Sequence, residues 1–348
     1  MKTRQIHLVA RPRGPASSDH FALVEAELPA LSEGQVLVAN SWMSVDPYMR
    51  RSMDEQATDL EPWPLHAALS GPAIGRVLES RNSAFAPGDL VESMAGWQDH
   101  FVSNGDQLVP YFSSDTAIAR RVLEAGGSES DFVGLLGVAA QTGYFGVMCA
   151  ARMVPGQTAV ISSGAGTVGS VACQIAKIHG MRVVASAGSD EKVRWLREVA
   201  GVDQAFNYRT KPFDEAFREF CPDGIDLVLE NASPEHFSAV LPHMNESRTI
   251  LIAGFVGIYE TGGKVRNIEN FEEVLDRFLT IKSYPFMDYL DAHDEFVRDM
   301  VGWRNAGRLV FEEVHYEDLE QAPQALCDLL AGRVRGKPLV KLSRENVA

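Results

Sequence analysis

Gly164-Ala165-Gly166-Thr167-Val168-Gly169 spaces three glycines as G-x-G-x-x-G, directly after the apolar run TAVIS and at the opening of TVGSVACQIAKIHG. Glycines at that spacing permit a tight turn and let the backbone approach a pyrophosphate. A helix opening near Thr167 would offer that anion its N–H groups and the positive end of its dipole. The same residues also suit a plain glycine turn between a strand and a packed helix; strands before and after give the motif its force.

The end of the next apolar run bears on which dinucleotide would bind. RVVASA (182–187) closes as Ala185-Ser186-Ala187-Gly188-Ser189. An NAD site usually has an acid there, bonding the adenosine ribose hydroxyls. Here the acids Asp190 and Glu191 come later, where capping of the following helix accounts for them. Lys192 falls in that helix's first turn, and Tyr208 and Arg209 close the run AFNY. These side chains could surround a 2′-phosphate, although Lys192 also reads as an exposed helix lysine. One hydrogen bond to a charged group contributes about 1.5–3 kcal/mol, or about ten- to a hundredfold preference for NADPH over NADH. The cofactor expected is NADPH.

The elements around these residues follow a simple alternation. TAVISSGA (158–165), RVVASA, AFNY, DLVLEN and TILIAG read as strands, with LTIKSY (279–284) a possible sixth, and helical stretches lie between them. That spacing indicates βαβ units and a parallel sheet. Up to about Gly127 the pattern differs: VLVANSWMSVDP, GPAIGRVLES, FAPGDLVESMAGWQDHFVS and DQLVPY are short strands broken by turn residues, so the fold there is β-rich and could be barrel-like. The closing VHYEDLEQAPQALCDLLAGRVRGKPLVKL reads as helix, glycine turn and strand, and its PLVKL could return to pair with the first part.

With 348 residues, two domains are expected. The net charge of −15 argues against nucleic acid or an anionic membrane as partner, and no apolar run is long enough to span a bilayer. From Lys177 to Lys211 seven basic and four acidic residues make a local island of +3, in keeping with an anionic ligand. MKTRQIHLVARPRG lacks the apolar core of a secretory signal, so a cytoplasmic location is expected. Cys149, Cys173, Cys221 and Cys327 lie far apart, which suits buried, inert thiols rather than disulfides or structural zinc.

The stretch VISSGAGTVGSVACQIAKIHGMRVVASAGSDEKVRWL resembles the medium-chain dehydrogenase/reductase superfamily. More narrowly, SVDPYM (44–49), GPAIGRVLES (71–80), GWQDHFV (96–102), QTGYFG (141–146), GSDEK (188–192), NYRT (207–210) and GIDLVLEN (224–231) resemble, in order, segments of its zinc-free branch of prostaglandin reductases, leukotriene B4 dehydrogenases and curcumin reductase-like enzymes. The resemblance implies an α/β chain: a GroES-like β-rich domain (1–128 with 311–348) and a Rossmann doubly wound parallel-sheet domain (129–310), with a cleft between them and commonly a homodimer. By that similarity Gly166, Thr167 and Val168 contact the pyrophosphate beside Gly164 and Gly169. Lys192 and Tyr208, with Gly188, stand on the 2′-phosphate side, and Asn231 at the nicotinamide ribose. Tyr48 would face the substrate, and Tyr259 would stand near its reacting carbonyl. The chain departs from the branch in three places: Gly257-Ile258-Tyr259-Glu260 around that tyrosine, Ala232-Ser233-Pro234 where Val-Gly-Gly is usual, and Val334 in place of an asparagine.

Zinc-dependent relatives need an N-terminal cysteine, and none precedes Cys149; His66 and His100 are remote from any thiolate, so no metal site is expected. Without a Lewis acid, hydride addition to the β-carbon of an enone is easier to support than carbonyl reduction, with a donor near the carbonyl oxygen. Tyr259 is the candidate donor, with packing as its alternative role. Trp42, Met43, Met49 and Met53 read equally as an apolar substrate wall or as core. The function expected is NADPH-dependent reduction of the α,β C=C bond of a small conjugated ketone or aldehyde. An NADPH quinone reductase and a catalytically silent NADPH-binding protein are the alternatives.

Overall fold

A computed structural model describes residues 1–55, 60–106, 108, 116–265 and 267–342. The chain falls into two units, residues 1–137 with 313–348, and residues 138–312.

In the first unit β1 (Lys2–Leu8) and β2 (Phe21–Glu27) pair antiparallel from Lys2 opposite Glu27 to Leu8 opposite Phe21. A second sheet is built on β3 (Val36–Ser44), the longest strand of this unit. It pairs antiparallel with β4 (Ala73–Ser80), and through Val36–Ala39 with β6 (His100–Ser103); β5 (Leu90–Ser93) lies on the far side of β4. Of DQLVPY, residues 107 and 109–111 lie outside the described residues, and Leu108 bridges to Ser93.

The second unit holds β7 (Thr158–Ile161), β8 (Arg182–Ala187), β9 (Gln204–Asn207), β10 (Ile225–Glu230), β11 (Met244–Ile252) and β12 (Thr280–Ser283). All pair in parallel, in the order β9-β8-β7-β10-β11-β12, which is the doubly wound arrangement with its reversal beside β7. Every residue of β7 is buried, and Val160, Val184, Val228 and Ile250 join one core. Strands covered on both faces are continuous apolar runs, which explains why these were legible as strands.

The chain then rejoins the first unit. β13 (Glu313–Tyr316) runs parallel to β14 (Lys337–Lys341), and β14 pairs antiparallel with β3, Leu339 opposite Ser44. The return of PLVKL is thus present. The opening VHY, however, is strand rather than helix; the helix proper is Ala322–Leu330, behind a turn whose Asp318 side chain accepts the Glu320 N–H at 3.0 Å.

The first unit's core decides between the two readings of its methionines. Met43, Met49 and Met53 are fully buried beside Trp63 and Trp97, whose rings meet edge-on at 5.2 Å. They are core. Trp42 is partly exposed, its ring 4.6 Å from that of His315. Cysteines also divide: Cys173 and Cys221 are buried, whereas Cys149 is exposed and Cys327 partly so, so burial is not common to all four. No described helix is long and apolar enough to cross a membrane.

Candidate active site

The glycine loop leaves β7 through Ser163, whose backbone is left-handed at φ 48°, and closes as the Gly164 N–H donates to the Ser186 carbonyl at 2.8 Å. A Cβ on Gly164 would lie 2.8 Å from the Ala185 Cβ, and one on Gly169 would lie 2.4 Å from the Ser163 oxygen. Packing against β8 and within the turn therefore demands both glycines. Gly166 is different. Among the described residues, chain neighbours aside, the one atom within 4 Å of a Cβ there is the Ser163 oxygen at 3.4 Å, so the space over this glycine is open. Gly166 is also the N-cap of the helix Thr167–Ile178 and has no side chain to accept its first-turn N–H groups. An open backbone face at a helix start that lacks a side-chain cap fits a pyrophosphate.

At the end of β8 the helix Asp190–Glu198 is capped by Ser189, whose side chain accepts the Lys192 N–H at 3.3 Å. Asp190 and Glu191 occupy its first turn rather than the cap itself; the Asp190 carboxylate accepts from Asn207 Nδ2 at 2.8 Å. Tyr208 follows β9, with its N–H on the Ala187 carbonyl at 3.1 Å and its ring stacked on Phe213. Its hydroxyl lies over Gly188, where a Cβ would come within 2.8 Å of it. Gly188, Lys192 and Tyr208 thus share one end of the sheet. Arg209 is held through its backbone N–H on Asn207 Oδ1 at 3.1 Å.

Beyond β10 and β11 the two loops are bonded to one another. The Gly257 N–H donates to the Ala232 carbonyl at 2.8 Å, and the Ala253 N–H to the Glu230 carbonyl at 2.8 Å. Asn231 follows β10 directly, and Tyr259 stands in the turn Val256–Thr261. A Cβ on Gly254 would be 3.2 Å from the Tyr259 hydroxyl and 3.9 Å from Asn231 Oδ1, so the two polar groups converge over that glycine. The substitution of Ala232-Ser233-Pro234 has a local reason. Ser233 caps the helix Pro234–Val240 by accepting the His236 N–H at 3.2 Å, and Pro234 takes the first helical position, where its missing N–H costs nothing.

Tyr48 belongs to the first unit. It is partly buried at the start of the short helix Met49–Ser52 and packs on the methionine–tryptophan core. Burial, with Asp46 nearby, pushes its hydroxyl well above the ordinary tyrosine range. Asp46 itself is buried and accepts from Lys337 Nζ at 2.6 Å, while Ser44 Oγ also donates to it. Among the described residues no group of three or more His, Cys, Asp and Glu is placed to hold a metal ion.

Three site residues escaped the sequence reading. Glu230 ends β10 fully buried, Ser162 ends the apolar run before the glycine loop, and His236 lies under the Asn231 loop. A glutamate inside an apolar parallel strand was the available signal, because a charge buried on both faces needs dedicated partners.

Comparison with known proteins agrees with this architecture. Residues 4–111 match the model of the N-terminal domain of oxidoreductase, and residues 167–295 that of zinc-binding dehydrogenase. The chain is 31% identical to the NADPH-dependent curcumin reductase of Escherichia coli K12 over 99% of its own length and 98% of the relative's. It is 33% identical to prostaglandin reductase 1 of Bos taurus over 94% and 95% of the two chains. The crystal structure of CurA from Vibrio vulnificus in complex with NADPH superposes with a TM-score of 0.86, at 28% identity, over 98% of this chain and 99% of that one. On these matches, the chain belongs to the zinc-free, NADP-dependent reductase branch of the medium-chain dehydrogenase/reductase superfamily.

Proposed function

We propose that this oxidoreductase saturates the α,β C=C bond of conjugated ketones and aldehydes. The observation that carries the reading is the convergence of the Tyr259 hydroxyl and Asn231 over Gly254, at the carboxyl end of the sheet that also bears the open Gly166 backbone. Ligands of doubly wound sheets bind at that end, where the strand order reverses. The cofactor is NADPH, in line with the NADP-dependent relatives and the NADPH complex of CurA. When bound, it supplies a hydride.

The chain's own residues do the rest. Gly164, Gly166, Thr167, Val168 and Gly169 form the loop and helix start that receive the pyrophosphate; Gly164 and Gly166 contribute the tight turn, their own N–H groups being held by the Ser186 and Ser163 carbonyls. Gly188, Lys192 and Tyr208 receive the 2′-phosphate, and Asn231 orients the nicotinamide ribose. As hydride reaches the substrate β-carbon, negative charge collects on the carbonyl oxygen. The Tyr259 hydroxyl donates to that oxygen, and a proton from the same hydroxyl or from solvent completes the α-carbon. Tyr48, kept protonated by burial, is assigned to contact with the substrate. The same reading assigns residues 129–310 to the cofactor and 1–128 with 311–348 to the substrate, in a cytoplasmic homodimer that acts on small molecules.

The reading is tested by initial rates of NADPH oxidation with enones, enals and quinones, with NADH as the control cofactor. A product heavier than the enone by two hydrogens, and faster turnover with NADPH, is the expected result. Turnover with quinones alone would move the assignment to quinone reduction.

A further inference from the structure

Glu230 gathers more hydrogen bonds than any strand terminus requires. It is fully buried, and its Oε1 accepts from Ser162 Oγ at 3.0 Å and from the N–H groups of Ala232 at 2.7 Å and Ser233 at 2.9 Å. Its Oε2 faces His236 Nδ1 at 2.5 Å. A carboxylate only accepts, so Nδ1 carries the proton and donates it. The imidazole is itself 1% exposed, set near-perpendicular to Phe213 and Phe217 with centroids 5.0 and 5.6 Å away. Aromatic packing fixes the histidine on one side, and the histidine fixes the carboxylate on the other.

We propose that the Glu230–His236 pair is the positioning element for the nicotinamide half of the cofactor site, a role that rests on the reading of Asn231 as a cofactor-binding residue. Both links run through hydrogen bonds. Ser162 Oγ, which donates to Glu230, accepts the Asn231 N–H at 2.6 Å. Ala232, held by its N–H on Glu230, accepts from Gly257 in the loop that leads to Tyr259. If the carboxylate turns away, Ser162, Ala232, Ser233 and His236 lose their acceptor, and the Asn231 N–H rests on a hydroxyl that is no longer held. The adenosine half stands elsewhere on the sheet, beyond β8 and β9, where the Lys192 N–H is held by Ser189 Oγ and the Tyr208 N–H by the Ala187 carbonyl. The pair touches neither reacting atom; it acts through Asn231 and the Tyr259 loop.

That division gives the test. Calorimetric binding to the full chain compares NADPH with adenosine 2′,5′-bisphosphate, which has the 2′-phosphate but no nicotinamide. His236→Leu removes the donor to Glu230 and is expected to weaken NADPH about tenfold while leaving the bisphosphate unchanged. His236→Asn places an amide N–H near the position of Nδ1 and is expected to return NADPH affinity to within about threefold of wild type. If His236→Leu does not fold, Ser162→Ala is expected to show the same selective loss. Equal weakening of both ligands, no change in either, or no rescue by asparagine would overturn the assignment. No turnover enters these measurements, so a protein that reduces no enone would still decide the role of the pair, and the enone reading stands or falls separately.

Discussion

The hydroxyl of Tyr208 covers Gly188 so closely that a Cβ on the glycine would lie 2.8 Å from it. The two residues follow adjacent strands, β8 and β9, and the close approach is what turns the phenol toward the end of β8. Gly188→Ala must therefore displace the hydroxyl, the far end of a partly exposed side chain, which can swing away with little loss of stability. If the phenol bonds the 2′-phosphate, the dissociation constant for NADPH rises about tenfold and that for NADH stays put. Calorimetry with both cofactors checks this; parallel losses would assign Gly188 to backbone geometry alone.

Lys192 is the second test of the same half-site. Its backbone N–H is held by the Ser189 cap, which places the side chain in the first turn beside the end of β8. Lys192→Ala is expected to raise the apparent Michaelis constant for NADPH about ten- to a hundredfold and to leave that for NADH nearly unchanged. An equal effect on both would remove Lys192 from the 2′-phosphate.

Tyr259 is tested by a split between chemistry and binding. Loss of one donor to a developing oxyanion lowers kcat by about a hundredfold in comparable sites, so Tyr259→Phe is expected to fall by that order. The ring remains, so NADPH affinity should persist. Unchanged turnover would reduce Tyr259 to a packing residue.

Much of this architecture could be read from the chain because two signals were strong. RVVASA reads as a strand over 182–187, the bounds it has in the structure, since a strand buried on both faces is a near-continuous apolar run. Gly164, Gly166 and Gly169 were legible from spacing alone, but not their different duties, two demanded by packing and one facing open space. β1 and β2 went unseen because KTRQIHL and FALVEAE mix charge and apolar residues, and are strands only by pairing with each other. β13 was hidden inside a stretch that reads as helix, as its partner β14 lies over 20 residues further along. For Glu230 the sequence shows a charge inside an apolar strand, but only the fold brings Ser162, from the turn after β7, onto that carboxylate beside His236.

Glu92 supplies a prediction about pH. It is buried in β5, and its Oε1 has no hydrogen-bond partner among the described residues. Burial disfavours its charged form and holds the carboxyl well above the ordinary 4.5. Between 4.5 and that raised value the unfolded chain releases the proton while the folded chain keeps it, so wild-type stability falls as pH rises through the window. Glu92→Gln has no such proton. Its melting temperature should match wild type in acid and exceed it increasingly toward neutral and alkaline pH. A difference that does not vary with pH would contradict the assignment.

The central claim is that hydride goes to carbon beyond the carbonyl, and isotopic labelling reads this directly. The protein is given an enone and NADPH carrying deuterium at the transferring position of nicotinamide C4, and the product is examined by NMR. The account predicts deuterium on the β-carbon of a saturated ketone, with the α-carbon proton drawn from water or an exchangeable hydroxyl. Deuterium on the carbinol carbon of an unsaturated alcohol would contradict it.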